Sequence, residues 1–566
     1  MSIPDDLQRA RTLLFAANET AAKELLLALL PQIEAADRDD WALEVFAQLG
    51  EIYLIRSAND GVAECLRRID ECLAVYVAIL AGQAPPELAE QMRMSTQDAE
   101  RMITGYRNRA LFLRTGLAAA TGDHETAAAT LAELEAGTAA GGYLITHGRI
   151  RCALALCDDD LHVRSVPLWD QVPATMDAEP TDEAGEYLWV AGALGYARFC
   201  IETGRVAEAE PWARRAGARA TRRGWALDAA RAQLERAAGL WAGGDRDGTE
   251  ALVRQAYPVI AEHIRAHEVS RCWLYFGLTR LAAGVLQAAD ECWEHAERHW
   301  RELGKPLHVH RILLQRSWTS IFRGRYDEAR TRIAQARDCL DSSPRSSWLQ
   351  YARLDDHLGN VWRAEALADL GFDGAGNPDE SWAEADERYR RSAGTMAHPG
   401  IAENPAALAK LERAAELKLP AALAVDSMRY SIVDADARWR WATGIAAPLL
   451  AGAFAVTWEL ENPVLVSELI EYHSARGSFS IAAEAESVAD WTRVATAPVP
   501  IEEVEQMALV AAMAPAAGSG LTRLGPLPPL QMDPGGTAVL AHYRELAAAR
   551  YGLVVTTAER AWSTWP

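Results

Sequence analysis

Four glycines stand in register. Gly204, Gly244, Gly284 and Gly324 follow one another at intervals of 40 residues. Each lies between two stretches whose apolar residues recur at three and four, the spacing of one helix face. Three further positions keep the same beat. Ala209, Thr249, Ala289 and Ala329 come five residues after the glycines. Ala213, Val253, Trp293 and Ile333 come next, then Ala216, Ala256, Ala296 and Ala336. A unit of helix, reversal and helix cannot bury its apolar faces alone, so such units must stack. Glycine permits the left-handed residue of a tight helix end. The small residues suit close crossing of the two helices, and the apolar one fills the groove between repeats. Strand-like alternation is nearly absent before residue 550, so the sequence predicts an all-α protein.

The first helices carry a matching signature. Phe46-x-x-Leu49-Gly50-x-x-Tyr53 and Trp273-x-x-Phe276-Gly277 lie in two of them, and Gly122, Ala127, Leu131 and Leu134 mark a further second helix. Asp160, Ser165, Trp169 and Val172 fit a degenerate copy. These positions resemble the tetratricopeptide (TPR) repeat over roughly residues 40 to 476, with a 40-residue unit in place of about 34. The resemblance implies a TPR-like α-solenoid, a right-handed superhelix of helix pairs with a long concave surface. The expected organisation is an N-terminal cap and first repeats over 1–100, the array over 101–480, and a linker with a docking tail over 481–566. Beyond Gly371 the pattern continues at Ala385 and Tyr389, and a last pair is expected from about Ala435 to Ala475.

The tail reads differently. Seven prolines from Pro498 to Pro534, with Gly518, Gly520, Gly535 and Gly536, mark a linker. A short helix is expected from about Thr537 to Ala549, then a possible strand over Tyr551–Thr556. Trp562 and Trp565 suggest that the tail docks on the array or on a partner. Leu465–Glu471 with Ala475-Arg476-Gly477, and Leu524–Met532, resemble segments that flank CHAT-type (caspase-like) protease domains in actinobacterial proteins. Such proteases use a His-Cys dyad. Here His147-Gly148 lies in a helix-like stretch and no αβ domain follows, so the resemblance implies a partner of a separately encoded protease.

Composition narrows the chemistry. The chain has 566 residues, 50% apolar and 24% charged, enough to bury a large core. Its 57 basic and 79 acidic residues give a net charge of −22, which opposes general nucleic-acid binding. Eight scattered cysteines without a CxxC pair read as reduced core thiols. The acidic start and the short apolar run Leu25–Leu30 predict neither a signal peptide nor a membrane span, and a cytoplasmic location is expected.

No catalytic constellation, cofactor motif or metal set stands out. His263 with His267 and His295 with His299 are one helical turn apart, yet neither is a metalloprotease motif. Gly243-x4-Gly248-Thr249 lacks the phosphate-binding lysine. Acidic runs such as Asp39-Asp40, Asp158-Asp159-Asp160 and Asp355-Asp356 read as turn or cap residues. The nineteen tryptophans read mostly as core filler.

Arginines repeat as the glycines do. Arg231, Arg271 and Arg311 each stand thirteen residues before a repeat glycine, and Arg109 holds that place before Gly122. Leu234, Leu274, Leu314 and Phe112 follow three residues later. By the TPR resemblance both rows, with Trp318, face the concave surface. There they suit a protein or peptide ligand with carboxylates, which guanidinium binds bidentately. Pairing with acidic residues of the neighbouring repeat is the alternative. A second cluster, Arg214, Arg215, Arg219, Arg222 and Arg223, is either a solvated helix face or a docking patch. The function expected from all this is a non-enzymatic binding scaffold. A peptide-sensing receptor that changes curvature, or an enzyme with an unrecognised pocket, are the alternatives.

Overall fold

The computed structural model describes residues 2–370, 404–474 and 539–555, apart from short interruptions near 86–91, 138–141, 160, 177–178, 345, 432–437 and 440. Every regular element among the described residues is a helix. Two compact units result: Met1–Cys200 with Ala207–Arg236, and Ile201–Val206 with Ala237–Pro566.

The first unit is a run of helix hairpins. Helices α1 (Ile3–Phe15) and α2 (Glu19–Ala36) pair, as do α3 (Asp39–Ile55) with α4 (Asn59–Leu80) and α5 (Thr96–Thr121) with α6 (His124–Gly137). Next come α7 (Tyr143–Asp158), the short α8 (His162–Trp169) and α9 (Gln171–Met176), α10 (Glu183–Glu202) and α11 (Val206–Arg223). The chain start is well capped: the Asp5 amide donates to Ser2 Oγ at 3.4 Å and the Ser2 amide to Asp5 at 3.1 Å.

Helix α12 (Ala226–Ala242) bridges the division, and the second unit continues with α13 (Arg246–Glu262). The pairs α14 (Ala266–Ala282) with α15 (Leu286–Glu302) and α16 (Pro306–Phe322) with α17 (Tyr326–Asp341) are among the most closely packed. Then α18 (Trp348–Asp369) packs on α19 (Pro405–Ser427), followed by α20 (Ala447–Glu459), α21 (Pro463–Ser474) and α22 (Ala541–Tyr551).

The repeat register is a packing register. Ala216, Ala256, Ala296 and Ala336 are all 0% exposed, and the positions five and nine after each glycine are equally buried. First helices approach second helices through glycine. A Cβ on Gly277 would lie 2.1 Å from Trp293 Nε1, and that indole donates to the Leu274 carbonyl at 3.2 Å. Trp169, Trp293, Trp300 and Trp441 are fully buried.

The turns beat at half the period seen in the sequence. Residues 204, 224, 244, 264, 284, 304 and 324 all have positive φ, between 52° and 82°. Six are glycine and one is Ile264. Each turn from 224 onward closes the same way, as at Gly304: its amide donates to the Arg301 carbonyl, and the Lys305 amide to Trp300. This is the Schellman pairing, which satisfies carbonyls left free at a helix end.

Helix α19 is the centre of the last bundle. From Leu417 to Ser427 every residue is buried, as a helix apolar on all sides requires. It contacts α18, α20 and α22. One stretch, Trp441–Glu459, has the length and mean hydropathy of a membrane span, contrary to the expectation from sequence; half of it is buried. The tail helix forms at Ala541–Tyr551, near the expected 537–549, but the strand expected after it does not: Gly552 to Val554 have no regular structure. The prolines of the linker, Gly371 with Ala385 and Tyr389, Ala475, Trp562 and Trp565 lie outside the described residues. All eight cysteines are free, and burial pushes the Cys65 thiol up to about 11.

Candidate functional site

In the first unit, successive first helices present polar and aromatic side chains to one another. Glu44, Gln48 and Glu51 fall on one face of α3, at helical spacing. Arg109 on α5 reaches that face. Its Nη1 donates to both Glu44 oxygens at 3.0 and 2.7 Å and its Nη2 to Glu51 at 2.7 Å. Glu44 also accepts from Arg11 of α1 at 3.0 Å, from Gln48 Nε2 at 2.8 Å and from the Tyr106 hydroxyl at 3.2 Å. Burial would raise the Glu44 carboxyl, but the Arg109 and Arg11 guanidiniums outweigh it and hold the group below the usual range. Burial and the Glu44 charge push the Tyr106 phenol well above its usual value. A pocket of about 230 Å³ opens beside this cluster, lined by Arg11, Trp41, Glu44, Gln48 and Tyr106 among others.

Aromatic rings continue the face. Phe112 lies 4.9 Å from His147, which meets Tyr143 at 5.5 Å and Tyr187 at 6.2 Å. Tyr187 stacks on Phe15 at 4.7 Å and meets Trp225 at 5.9 Å. Arg151 Nε donates to His147 Nε2 at 3.3 Å, so that nitrogen is an acceptor and the ring is neutral. Burial, and then the Arg151 charge, depress the imidazole well below its ordinary value. His147 is thus a buried helix residue of α7.

The residues singled out in the sequence fall into two groups. Arg109 is a strut between α3 and α5, with two carboxylates of the preceding first helix as partners. Arg231, Arg271 and Arg311 are each the sixth residue of their helix, α12, α14 and α16. All three are partly exposed, and Arg231 donates to Asp228 at 3.1 Å. Leu234 is fully buried, while Leu274 and Leu314 are half-buried. Trp318 packs on Phe322 at 5.8 Å and on His357 at 4.6 Å. Arg231 belongs to the first unit and Arg271, Arg311 and Trp318 to the second. Of the histidine pairs, His295 stacks on Trp273 at 4.8 Å, His263 Nδ1 lies 2.8 Å from the Val259 carbonyl, and His267 meets Trp300 at 4.8 Å.

No protein-family model matches the chain, and no curated protein matches it. Among solved structures it is similar to RapI in its apo form. The two are 9% identical, with 69% of this chain and 98% of that chain covered and a TM-score of 0.26. The helix pairs themselves, with buried alanines at the repeat positions, fit a TPR-like repeat.

A second polar cluster in the last bundle was not anticipated. Lys418 of α19 donates to Asp356 Oδ1 at 2.6 Å and to Asn360 Oδ1 at 2.7 Å. Gly359 and Gly452 make room for it: a Cβ on either would lie 2.4 Å from Lys418 Cγ or 2.6 Å from Cε. Burial pushes the Asp356 carboxyl up and the Lys418 ammonium down, and their mutual attraction opposes both. Arg363 and Glu459 form a buried pair alongside. The tail docks here. Tyr551 donates to Asp355 at 2.8 Å, the Leu540 amide to Glu468 at 2.8 Å, and Arg550 to the Glu416 carbonyl at 2.5 Å. Asp355-Asp356 is therefore not a turn but the buried face of α18. Two adjacent acids resemble a cap in sequence, and only their partners 62 and 196 residues away reveal the burial.

Proposed function

We propose that the chain is a non-enzymatic cytoplasmic scaffold, a right-handed superhelix of helix pairs that takes a protein or peptide along its first-helix face. A separately encoded effector, such as a CHAT-type protease, is the kind of partner it would regulate. The observation that carries this reading is the repeated place of Arg271 and Arg311 within the second unit, each sixth in its helix with a leucine three residues on; Arg231 holds the same place in its own helix of the first unit. A row of guanidiniums beside an apolar row suits an extended segment with carboxylates. The pairing of Arg109 with Glu44 and Glu51 shows a guanidinium at this register position binding two carboxylates.

The test uses a partner captured on the purified chain and identified by mass spectrometry. Arg271→Ala and Arg311→Ala should each weaken binding about ten-fold, the worth of one charged hydrogen bond of ~1.5–3 kcal/mol. Their melting temperatures should stay near that of the parent. Unchanged affinity with a large fall in melting temperature would make these arginines struts like Arg109.

A further inference from the structure

Helix α11 carries five arginines within ten residues: Arg214, Arg215, Arg219, Arg222 and Arg223. Like charges one helical turn apart repel. In a chain of net charge −22 such a concentration calls for a counterpart. Arg219 has one. It is buried, donates to Glu186 at 3.0 Å and to both Glu179 oxygens at 2.8 and 2.6 Å, and lies 4.3 Å over the Trp189 ring.

The other four are exposed, because Ala209, Ala213, Ala216 and Ala220 take the buried side of the helix. Arg215 stacks over Trp189 and Trp212 at 4.9 and 5.3 Å, which fixes its guanidinium plane while the N–H edge stays open. Arg214 has Glu210 at 3.5 Å. Arg222 and Arg223 form no ion pair with any described residue.

Glu179 shows how the cluster treats a carboxylate. Its side chain is 77% exposed, yet Arg219 clamps it with two bonds. The Arg219 hydrogen bonds and charge, aided by Arg215 and Arg222, hold its carboxyl below the ordinary range.

We propose that the arginine face of α11 is a docking site for an acidic segment of a partner protein. Its carboxylates would bind Arg214 and Arg215 on one side of Glu179 and Arg222 and Arg223 on the other. Arg215 and Arg222 are seven residues apart on one helix face, about 10.5 Å along the axis. A segment in the polyproline II conformation covers about 9 Å in three residues and returns its side chains to the same side, so acids at i and i+3 match that span. A nucleic acid fits less well, because a chain of net charge −22 repels a longer polyanion that runs past the patch. This site is separate from the first-helix rows and does not depend on them.

The test is fluorescence anisotropy of a short labelled glutamate-rich peptide with the full chain at low salt. The parent should bind saturably and the glutamine version of the peptide should not. Arg222→Glu with Arg223→Glu should weaken binding ten-fold or more. Both side chains are exposed, so the melting temperature should not move. Arg214→Ala with Arg215→Ala should weaken it similarly. Glu179→Gln, which removes a negative charge from the middle of this face, should tighten binding several-fold. Equal affinity in the charge-reversed variant, no saturable binding of the acidic peptide, or equally tight binding of a single-stranded oligonucleotide of the same charge would each overturn the proposal.

Discussion

The turns near the chain start and those of the array share a geometry and differ in residue. Residues 17, 37 and 57 have positive φ, spaced 20 apart as at 204 to 324. Yet they are Ala17, Asp37 and Ser57, with φ of 58°, 52° and 56°, where the array uses glycine at all but Ile264. Left-handed φ costs an ordinary residue about 1–2 kcal/mol. The N-terminal hairpins bear that cost, so it is packing of the paired helices that sets the reversal. Glycine lowers the expense of a turn that neighbouring helices already require. Helix-packing glycines behave otherwise and occur in both regions. A Cβ on Gly50 would lie 2.6 Å from a Leu113 methyl, and one on Gly116 would lie 2.3 Å from a Leu54 methyl, much as Gly277 meets Trp293.

The largest effect should come from what the two regions share. Gly277→Val drives a branched side chain into the buried Trp293 ring and should destabilise the chain by about 3 kcal/mol. Gly50→Val should do the same against Leu113. Urea unfolding checks both; a cost under 1 kcal/mol in either would show that the packed helices can move apart.

Next comes the turn glycine itself. Gly304 has open space where a Cβ would go, so Gly304→Ala should cost only the backbone term, about 1 kcal/mol. A loss as large as that of Gly277→Val would mean that glycine, and not packing, dictates the array turns.

The exceptions should respond with the opposite sign. Ile264 is β-branched, 74% exposed and at φ 52°. Ile264→Gly should therefore stabilise the chain by about 1 kcal/mol, read from the same urea curves. Smallest is Ser57→Gly, an exposed turn with a gain of about 0.5 kcal/mol once the greater freedom of glycine in the unfolded chain is subtracted. Destabilisation by either substitution would show that these side chains secure their turns through contacts.

These turns also explain what could be read in advance. The 40-residue period was visible because four glycines and their alanines coincide, and each pair of helices reuses them. The 20-residue beat was less visible, because Ile264 interrupts it and three N-terminal turns lack glycine altogether. Arg109 could be picked out by register, but not its partners: Glu44 and Glu51 lie 65 and 58 residues away and look like ordinary exposed acids of a helix.

The sequence by itself determined the class of fold, because helical periodicity and a repeated turn are local properties that each repeat writes afresh. It also determined the buried positions of the array, since small residues at fixed offsets meet the same neighbour each time. Tertiary structure alone decided which charges are internal. Lys418 sits in the buried half of α19, and its tolerance depends on Asp356 and Asn360 from α18 and on the space left by Gly359 and Gly452. Removing a buried charge's partner costs ~3–5 kcal/mol, so a change at any one of these distant residues is felt by the others. No local pattern encodes that coupling, because its members share neither a period nor a neighbourhood along the chain.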